Sequence, residues 1–232
     1  APPELPWLAH PAATRADYAA NLVAPSVEPM DLAVVVKALQ RLLPESTVFT
    51  NGAGNYAGWL HRYGVLPGLQ HHGRTQLAPT SGAMGYGLPA AVAASLLQPQ
   101  RWVVNLAGDG DFLMNGQELA TATGYGARRL LSIVVDNGTY GTIRMHQERE
   151  YPARVSGSDL FNPDFAALAR AYGWHGEFAA TTADAVAALE RCIAAIEAEG
   201  RPALLHLKLP TDVITSRSTL GAIREAALSR GA

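Results

Sequence analysis

Two short polar motifs each follow an apolar segment that is typical of a buried strand. The first, Gly108-Asp109-Gly110, comes directly after the run RWVVNLA at residues 101–107. The second, Asp136-Asn137, closes the run LLSIVVD at residues 130–136. Continuous apolar runs are characteristic of buried parallel strands. Because ligands of parallel sheets bind at the carboxyl ends of the strands, we expect the two motifs to form one site.

The side chains of these motifs are suited to a divalent cation that is bound to a phosphorylated ligand. The carboxylate of Asp109 and the amide of Asn137 are hard oxygen donors, which Mg²⁺ prefers. A backbone carbonyl, a water and two phosphate oxygens would complete an octahedral shell. The glycines on either side of Asp109 allow the backbone to approach a diphosphate. Residues 101–150 contain no lysine, which argues against a Walker-type phosphate loop.

The chain around the motifs alternates between helical and strand patterns. We predict strands at 46–50, 101–107, 130–136 and 202–210, and helices at 30–43, 55–63, 81–97, 115–126, from Asn162-Pro163-Asp164 to Tyr172, at 182–200 and at about 218–229. This alternation predicts an α/β fold, a doubly wound and mainly parallel sheet with helices on both faces. The composition, 48% hydrophobic and 16% charged, suits a sheet that is covered on both faces.

Composition also narrows the partners and the location of the protein. The net charge is −2 and no basic stripe is visible, so no nucleic-acid partner is expected. The one cysteine, Cys192, excludes a disulfide framework and is expected in the core. No apolar run reaches the roughly 20 residues of a membrane span and no signal peptide is visible, so we expect a soluble cytoplasmic protein without a membrane partner.

The amino-terminal segment differs in character from the rest of the chain. Residues 1–29 hold six prolines and no initiator methionine. We therefore expect residues 1–29 to be a linker or the end of a missing upstream domain, and we assign residues 30–232 to one domain.

Three segments of the chain resemble segments of a known family of cofactor-dependent enzymes. The segment GDGDFLMNGQELATA, continued by SIVVDNGTYGTI, resembles the binding motif for thiamine diphosphate (ThDP). TSGAMGYGLPAA (80–91) is similar to the aminopyrimidine-contacting loop of the acetolactate synthase and 2-oxoacid decarboxylase group, and VFTNGAGNYAGW (48–59) is similar to its first diphosphate loop. The resemblance covers roughly residues 25–215. It implies a C-terminal, diphosphate-binding domain with ThDP and Mg²⁺ as cofactors.

The resemblance implies a set of ligands in this chain. Asp109, Asn137 and the main-chain carbonyl of Thr139 match the metal ligands of the family. Asp136 stands where asparagine is commoner, but the ligating second position is retained. The cofactor-binding residues that the resemblance implies are Gly54, Asn55, Tyr56, Gly82, Met84, Gly108, Asp109, Gly110, Asp111, Asn137 and Thr139.

Several of these positions have a specific role or depart from the family pattern. Met84 matches the bulky residue that supports ThDP in its bent shape, and the carbonyl of Gly82 would accept a hydrogen bond from the 4′-amino group. Many relatives have a small residue where Asp111 stands, and we expect its carboxylate to point away from the diphosphate. Relatives usually carry Gln-His where this chain has Asn55-Tyr56.

The resemblance also implies that a catalytic residue comes from elsewhere. The glutamate that activates the aminopyrimidine belongs to a pyrimidine-binding domain, normally of a partner subunit, and no segment here resembles that domain. Glu118 and Glu148 are the nearest carboxylates in sequence, and Glu118 is expected to be structural. We therefore predict no catalytic residue in this chain and no turnover by the chain alone. The family also has a middle domain, sometimes flavin-binding, so FAD is an expectation for the parent protein only.

Some polar residues near the motifs have two interpretations. His71, His72 and Arg74 precede the aminopyrimidine loop and face either substrate or solvent. Arg144 and His146 follow the metal motif on a predicted helix. Arg144 either pairs with a substrate carboxylate or lies on a solvated helix face.

Three functions are compatible with the sequence. The first is the C-terminal domain of an acetolactate synthase-like enzyme that decarboxylates a small 2-oxo acid and transfers or releases the aldehyde unit. Such an enzyme would be a homo-oligomer, with the pyrimidine-binding domain in the same or another chain. The second is an intact small subunit of a two-chain 2-oxoacid decarboxylase. The third is a non-catalytic assembly module, which the retained pair Asp109 and Asn137 argues against.

Overall fold

A six-stranded, all-parallel sheet lies at the centre of the computed structural model, which describes residues 9–20, 22, 27–64 and 75–230. The strands follow the order β2-β1-β3-β4-β6-β5. Since β1 has β2 on one side and β3 on the other, the direction of winding reverses there, which is where ligands bind in such sheets. The strands are β1 (Val48–Asn51), β2 (Gln76–Leu77), β3 (Val103–Gly108), β4 (Leu130–Asp136), β5 (His175–Ala179) and β6 (Ala203–Lys208).

Helices cover both faces of the sheet. They are α1 (Ala9–Ala20), α2 (Leu32–Leu42), α3 (Ala57–Tyr63), α4 (Gly87–Leu97), α5 (Asp109–Asn115), α6 (Glu118–Gly124), α7 (Gly141–Glu150), α8 (Phe165–Ala171), α9 (Thr182–Glu199) and α10 (Leu220–Arg230). One core cluster joins α2, α3 and α9 to the sheet, and a second joins α4, α5, α6 and α8. Leu131 and Ile133 belong to the first cluster and Leu130 and Val134 to the second, as alternation along a strand requires. The predicted fold class is confirmed.

Local signals explain where several helices begin and end. The side chain of Asp31 accepts a hydrogen bond from Ala33 N at the start of α2, and that of Thr181 accepts one from Asp184 N at the start of α9. Helix α9 ends at Gly200, which has a φ of 68° that glycine adopts at little cost. Cys192 lies on α9 with no exposed surface, as predicted, and burial raises the pKa of its thiol to about 12.

The structure differs from the predicted elements in several places. The helix predicted at 115–126 corresponds to α6 at Glu118–Gly124, and the separate helix α5 at Asp109–Asn115 was not predicted. Helix α8 begins after Asp164, whose side chain accepts from Ala167 N, whereas Asn162 is not part of the cap. Strands β2 and β5 were not predicted, because β2 is very short and β5 carries the mixed sequence HGEFA at an edge of the sheet.

Helix α1 lies within residues 1–29, so part of the segment predicted as a linker is helical. The origin of this segment in an upstream domain remains a prediction. In the ranges that the structure describes, no helix combines the length and the apolar character needed to cross a membrane.

A substitution at Leu131 tests the assignment of the buried core. Leu131 lies in β4 with no exposed surface, so Leu131→Ala leaves a cavity between the sheet and the helices of one face. We expect the free energy of unfolding to fall by about 2–5 kcal/mol. The matched control is Leu97→Ala, because Leu97 is 81% exposed and the change should stay within about 0.5 kcal/mol. Urea unfolding measures both, and equal effects would contradict the assignment of the core.

Candidate functional site

The two sequence motifs leave the sheet side by side. In the register of β3 and β4, Gly108 is paired with Val135, so Asp109, which follows β3, lies next to Asp136, which ends β4, and to Asn137 after it. Strand β1 is the other neighbour of β3, and its carboxyl end leads into residues 52–56. The segments predicted for cofactor binding therefore converge at the carboxyl ends of the parallel strands.

One cavity of about 250 Å³ opens at the carboxyl ends of these strands. Every residue that the sequence predicted for cofactor binding lines it: Gly54, Asn55, Tyr56, Gly82, Met84, Gly108, Asp109, Gly110, Asp111, Asn137 and Thr139. The rest of the lining is largely apolar and consists of Ala53, Trp59, Val135, Tyr140, Gly141, Thr142, Ile143, Leu209, Val213 and Ile214. The cavity thus combines a polar end at the strand tips with apolar walls, the usual character of a small-molecule site.

Asp109 is buried and held from both sides of its carboxylate. Its Oδ1 accepts a hydrogen bond from Gly110 N at 2.9 Å. Its Oδ2 accepts from Gly138 N and from Asn162 Nδ2, each at 2.8 Å. These contacts fix the orientation of the carboxylate at the mouth of β3. Each carboxylate oxygen can accept about two hydrogen bonds, so Oδ1 keeps capacity for a cation.

Asp136 lies behind Asp109 and shares two of its donors. Gly138 N also lies 2.9 Å from Asp136 Oδ1, and Asn162 Nδ2 donates to the same oxygen at 2.8 Å. His206 Nε2 donates to Asp136 Oδ2 and Lys208 Nζ to Asp136 Oδ1, each at 2.9 Å. Asp136 does not line the cavity.

The surroundings of these two carboxyls move their pKa values in opposite directions. Burial raises the pKa of Asp109, and the neighbouring charge of Asp136 adds to this rise although three hydrogen bonds oppose it. Burial would also raise the pKa of Asp136, but hydrogen bonds from His206, Lys208 and Asn162 outweigh it and hold that pKa well below its ordinary value. These neighbours favour the ionised form of Asp136 and compensate its charge.

The turn after β4 presents the remaining predicted metal ligands. Asn137 Oδ1 accepts one long hydrogen bond, 3.3 Å from Thr139 N. Thr139 is buried, and its hydroxyl donates to Ser158 O at 2.6 Å. Gly138 between them has a φ of 72°, which turns the backbone so that both neighbours line the cavity. The turn is thus held at Thr139, while the amide oxygen of Asn137 is only weakly engaged.

The opposite wall contains the departures from the family pattern. The carboxylate of Asp111 accepts hydrogen bonds from Tyr56 Oη and Gly85 N, each at 2.6 Å. Asn55 N donates to Thr142 Oγ1 at 3.2 Å, so this backbone group is already engaged. Two of the unusual residues, Tyr56 and Asp111, are therefore direct partners, and both oxygens of Asp111 are engaged by protein donors.

The segment after β6 closes one side of the cavity through Leu209, Val213 and Ile214. A side chain added at Gly141 would lie 2.5 Å from Ile214 Cδ1, so the start of α7 packs tightly on this segment. Farther along the chain, Arg224 on α10 forms a bidentate ion pair with Glu148 on α7. The side chain of Glu148 is fully buried. The pair attaches α10 to the helix that follows the Asp136-Asn137 motif.

Other predicted candidates have structural partners or lie outside the described residues. Glu148 is used by Arg224, and Glu118 lies half-buried in the first turn of α6. Arg144 pairs with the exposed Asp159 at 2.7 Å, and His146 contacts Arg149. His71, His72 and Arg74 lie outside the described residues. Across the described ranges, no group of three or more His, Cys, Asp or Glu side chains is placed to hold a metal.

Sequence reasoning missed three residues that support the site: Asn162, His206 and Lys208. Asn162 was interpreted as part of a helix cap, although it bridges Asp109 and Asp136. His206 and Lys208 interrupt the apolar pattern of β6, which was the available signal. Their role depends on the pairing of β6 with β4, in which Asp136 is paired with Lys208.

Comparison with known proteins gives a consistent family match. Residues 52–207 match the model of the thiamine pyrophosphate enzyme, C-terminal TPP binding domain. Similar proteins include the acetolactate synthase isozyme 2 large subunit of Escherichia coli, which is 35% identical over 76% of this chain and 31% of its own length. The benzoylformate decarboxylase of Pseudomonas aeruginosa is 37% identical over 59% of this chain and 24% of its own length.

A third similar protein is the acetolactate synthase large subunit of Parasynechococcus marenigrum, 38% identical over 61% of this chain and 22% of its own length. The chain therefore spans about a quarter of the length of the curated relatives that it matches.

The ion pair between Glu148 and Arg224 predicts a pH-dependent contribution to stability. Hydrogen bonds from Arg224 lower the pKa of Glu148, so the pair stabilises the fold above the ordinary glutamate pKa and loses this effect as the pH falls through the lowered value. We expect Arg224→Met to lower the urea midpoint strongly at neutral pH, because it leaves a buried charge without its partner, and less at acidic pH.

The control for this experiment is Arg149→Met. Arg149 pairs with Glu150 on the same helix, and both side chains are exposed, so its loss should change the midpoint little at either pH. An Arg224→Met effect that is equal at neutral and acidic pH would contradict the assigned role.

Proposed function

The chain belongs to the thiamine pyrophosphate enzymes, as a C-terminal TPP-binding domain, and on this premise we propose that it binds the diphosphate of ThDP through Mg²⁺. The parent enzyme would decarboxylate a small 2-oxo acid and transfer or release the aldehyde unit. The main support is the single cavity that all the predicted cofactor residues line. The proposal includes both transfer and release of the aldehyde unit, since the similar proteins include synthases and a decarboxylase.

The residues at the strand tips fit a magnesium ion that carries a diphosphate. Asp109, Asn137 and the Thr139 carbonyl are oxygen donors, the type that Mg²⁺ selects. The one carboxylate, Asp109, neutralises only half of the charge of Mg²⁺ and leaves the rest to the phosphate oxygens, so cation and diphosphate should bind together. The support of Asp109 by Gly138 and Asn162 favours a fixed ligand geometry.

The walls of the cavity fit the organic part of the cofactor. ThDP, when bound, supplies the electron sink that decarboxylation of a 2-oxo acid requires. In the proposal, Met84 supports the bent cofactor and the carbonyl of Gly82 accepts a hydrogen bond from its aminopyrimidine. Apolar side chains such as Trp59, Ile143 and Ile214 would keep water from the reacting end.

The proposed site is completed by another domain. The activating glutamate would come from a pyrimidine-binding domain of the same or another chain, so this chain would contribute no catalytic residue. A homo-oligomer, FAD in the middle domain of the parent and a cytoplasmic location remain predictions. The alternatives are the small subunit of a two-chain 2-oxoacid decarboxylase and a non-catalytic assembly module.

The metal ligands predict how cofactor binding responds to substitution. We expect the chain to bind ThDP only with Mg²⁺, since the diphosphate would otherwise lie against the carboxylate of Asp109. Asn137→Ala removes one ligand and should weaken binding by about tenfold or more. Isothermal titration calorimetry measures this, and Gln117→Ala, an exposed amide outside the cavity lining, is the control. Equal affinity of Asn137→Ala and the wild type would argue against the metal site.

The division of the active site predicts that the chain alone does not turn over substrate. Chain, ThDP, Mg²⁺ and pyruvate should release no CO₂, whereas addition of a complementing pyrimidine-binding domain should start the release. Release of CO₂ by the chain alone would refute the prediction that the activating glutamate comes from another domain. Absence of ThDP binding even with the complementing domain would favour the assembly module.

A further inference from the structure

Two loops that border the cavity meet on the carboxylate of Asp111. Tyr56 Oη donates to Oδ2 and Gly85 N to Oδ1, each at 2.6 Å. The backbone of Ala53 also donates to this carboxylate. Asp111 is buried, and its donors come from the first diphosphate loop and from the segment that contains Met84. One side chain on α5 thus links both loops to the helix of Asp109.

Close packing prevents this carboxylate from moving freely. A Cβ atom at Gly52 would lie only 2.0 Å from Asp111 Oδ1, so a side chain there would displace the carboxylate. The ring of Tyr56 packs equally closely on Gly54 and Gly108, where added Cβ atoms would lie 2.7 and 2.8 Å from it. The hydroxyl of Tyr56 is therefore held against Asp111 by the packing of its ring.

Helix α5 holds both backbone groups of Gly85. Asp111 accepts from its N–H, and Asn115 Nδ2 donates to its carbonyl at 2.8 Å. Gly85 has a φ of 81°, and an added Cβ would lie 2.7 Å from Met114 Cβ, so both its conformation and its surroundings require glycine. Since Met84 directly precedes Gly85, the position of Met84 depends on these contacts.

We propose that Asp111, acting through Tyr56 and Gly85, is a positioning residue that fixes the spacing between the diphosphate loop and the Met84 segment. This inference rests on the proposed function, because the spacing matters for a ligand that reaches both loops. Holding the loops in place before binding removes the cost of ordering them when the cofactor arrives. A diphosphate alone reaches only one of the two loops and would gain less.

The opposing interpretation is that Asp111 is only an unfavourable charge near the diphosphate. The two interpretations predict opposite signs for Asp111→Asn. Removal of a repelling charge would tighten ThDP binding. Weakening of the contacts by which Asp111 holds the two loops, here called the clamp, would instead loosen it. The protein donors on both carboxylate oxygens favour the clamp.

The test compares ThDP with inorganic diphosphate, each with Mg²⁺, on the full chain by calorimetry. Tyr56→Phe removes the hydroxyl and keeps the packed ring, so the fold should persist, which urea unfolding verifies. We expect the Kd for ThDP to rise about tenfold, as for the loss of one hydrogen bond to a charged group, and the Kd for diphosphate to rise much less. Asp111→Asn should also weaken ThDP binding. A double variant with Tyr56→Phe and Asp111→Asn should bind ThDP only slightly less tightly than the single variant with the lower affinity.

Tyr63→Phe is the matched control, because it removes a phenol hydroxyl from the far end of α3, outside the cavity lining, and should leave both Kd values unchanged. Unchanged ThDP binding in Tyr56→Phe, tighter binding in Asp111→Asn, or equal losses for ThDP and diphosphate would each overturn the clamp. A wild-type chain that binds neither ligand, even with a complementing pyrimidine-binding domain, would instead overturn the proposed function.

Discussion

Two buried carboxylates, Asp109 and Asp136, share the same two hydrogen-bond donors, Gly138 N and Asn162 Nδ2. Like charges at such close quarters disfavour each other's ionised form unless cations or donors compensate them. Here His206 and Lys208 bind the rear carboxylate, so that the front one can face the cavity without a second uncompensated charge behind it. The site at the strand tips depends on this compensation.

The compensation is a consequence of strand order. His206 and Lys208 lie two residues apart on β6, which pairs in parallel with β4 and aligns Val134 with His206 and Asp136 with Lys208. Side chains two residues apart on a strand point to the same side of the sheet, so both reach Asp136. The strand that neutralises the site is thus separated from it in sequence by α7, α8, β5 and α9.

The short helix α5 joins the two halves of the cavity. Asp109 at its start faces the turn after β4, and Asp111 two residues later faces the loops of Tyr56 and Gly85. One helix therefore sets the distance between the proposed metal ligand and the loops that would hold the cofactor. The chain spans about a quarter of its relatives, so the remaining walls of the proposed active site would come from other domains.

The sequence by itself determined the fold class, because continuous apolar runs and helical periodicity are local patterns. It also placed Asp109 and Asn137 at strand ends, because they directly follow apolar runs, whereas the other predicted lining residues came from the resemblance to the family. It did not determine β5, whose edge sequence HGEFA has no continuous apolar pattern, or the roles of Asn162, His206 and Lys208. Only the tertiary structure decided that Asp111 would bind Tyr56 and that Asp136 would bind His206, 70 residues away. The physical reason is that these contacts depend on the spatial order of strands and loops, and a local pattern contains no information about which distant segment becomes a neighbour.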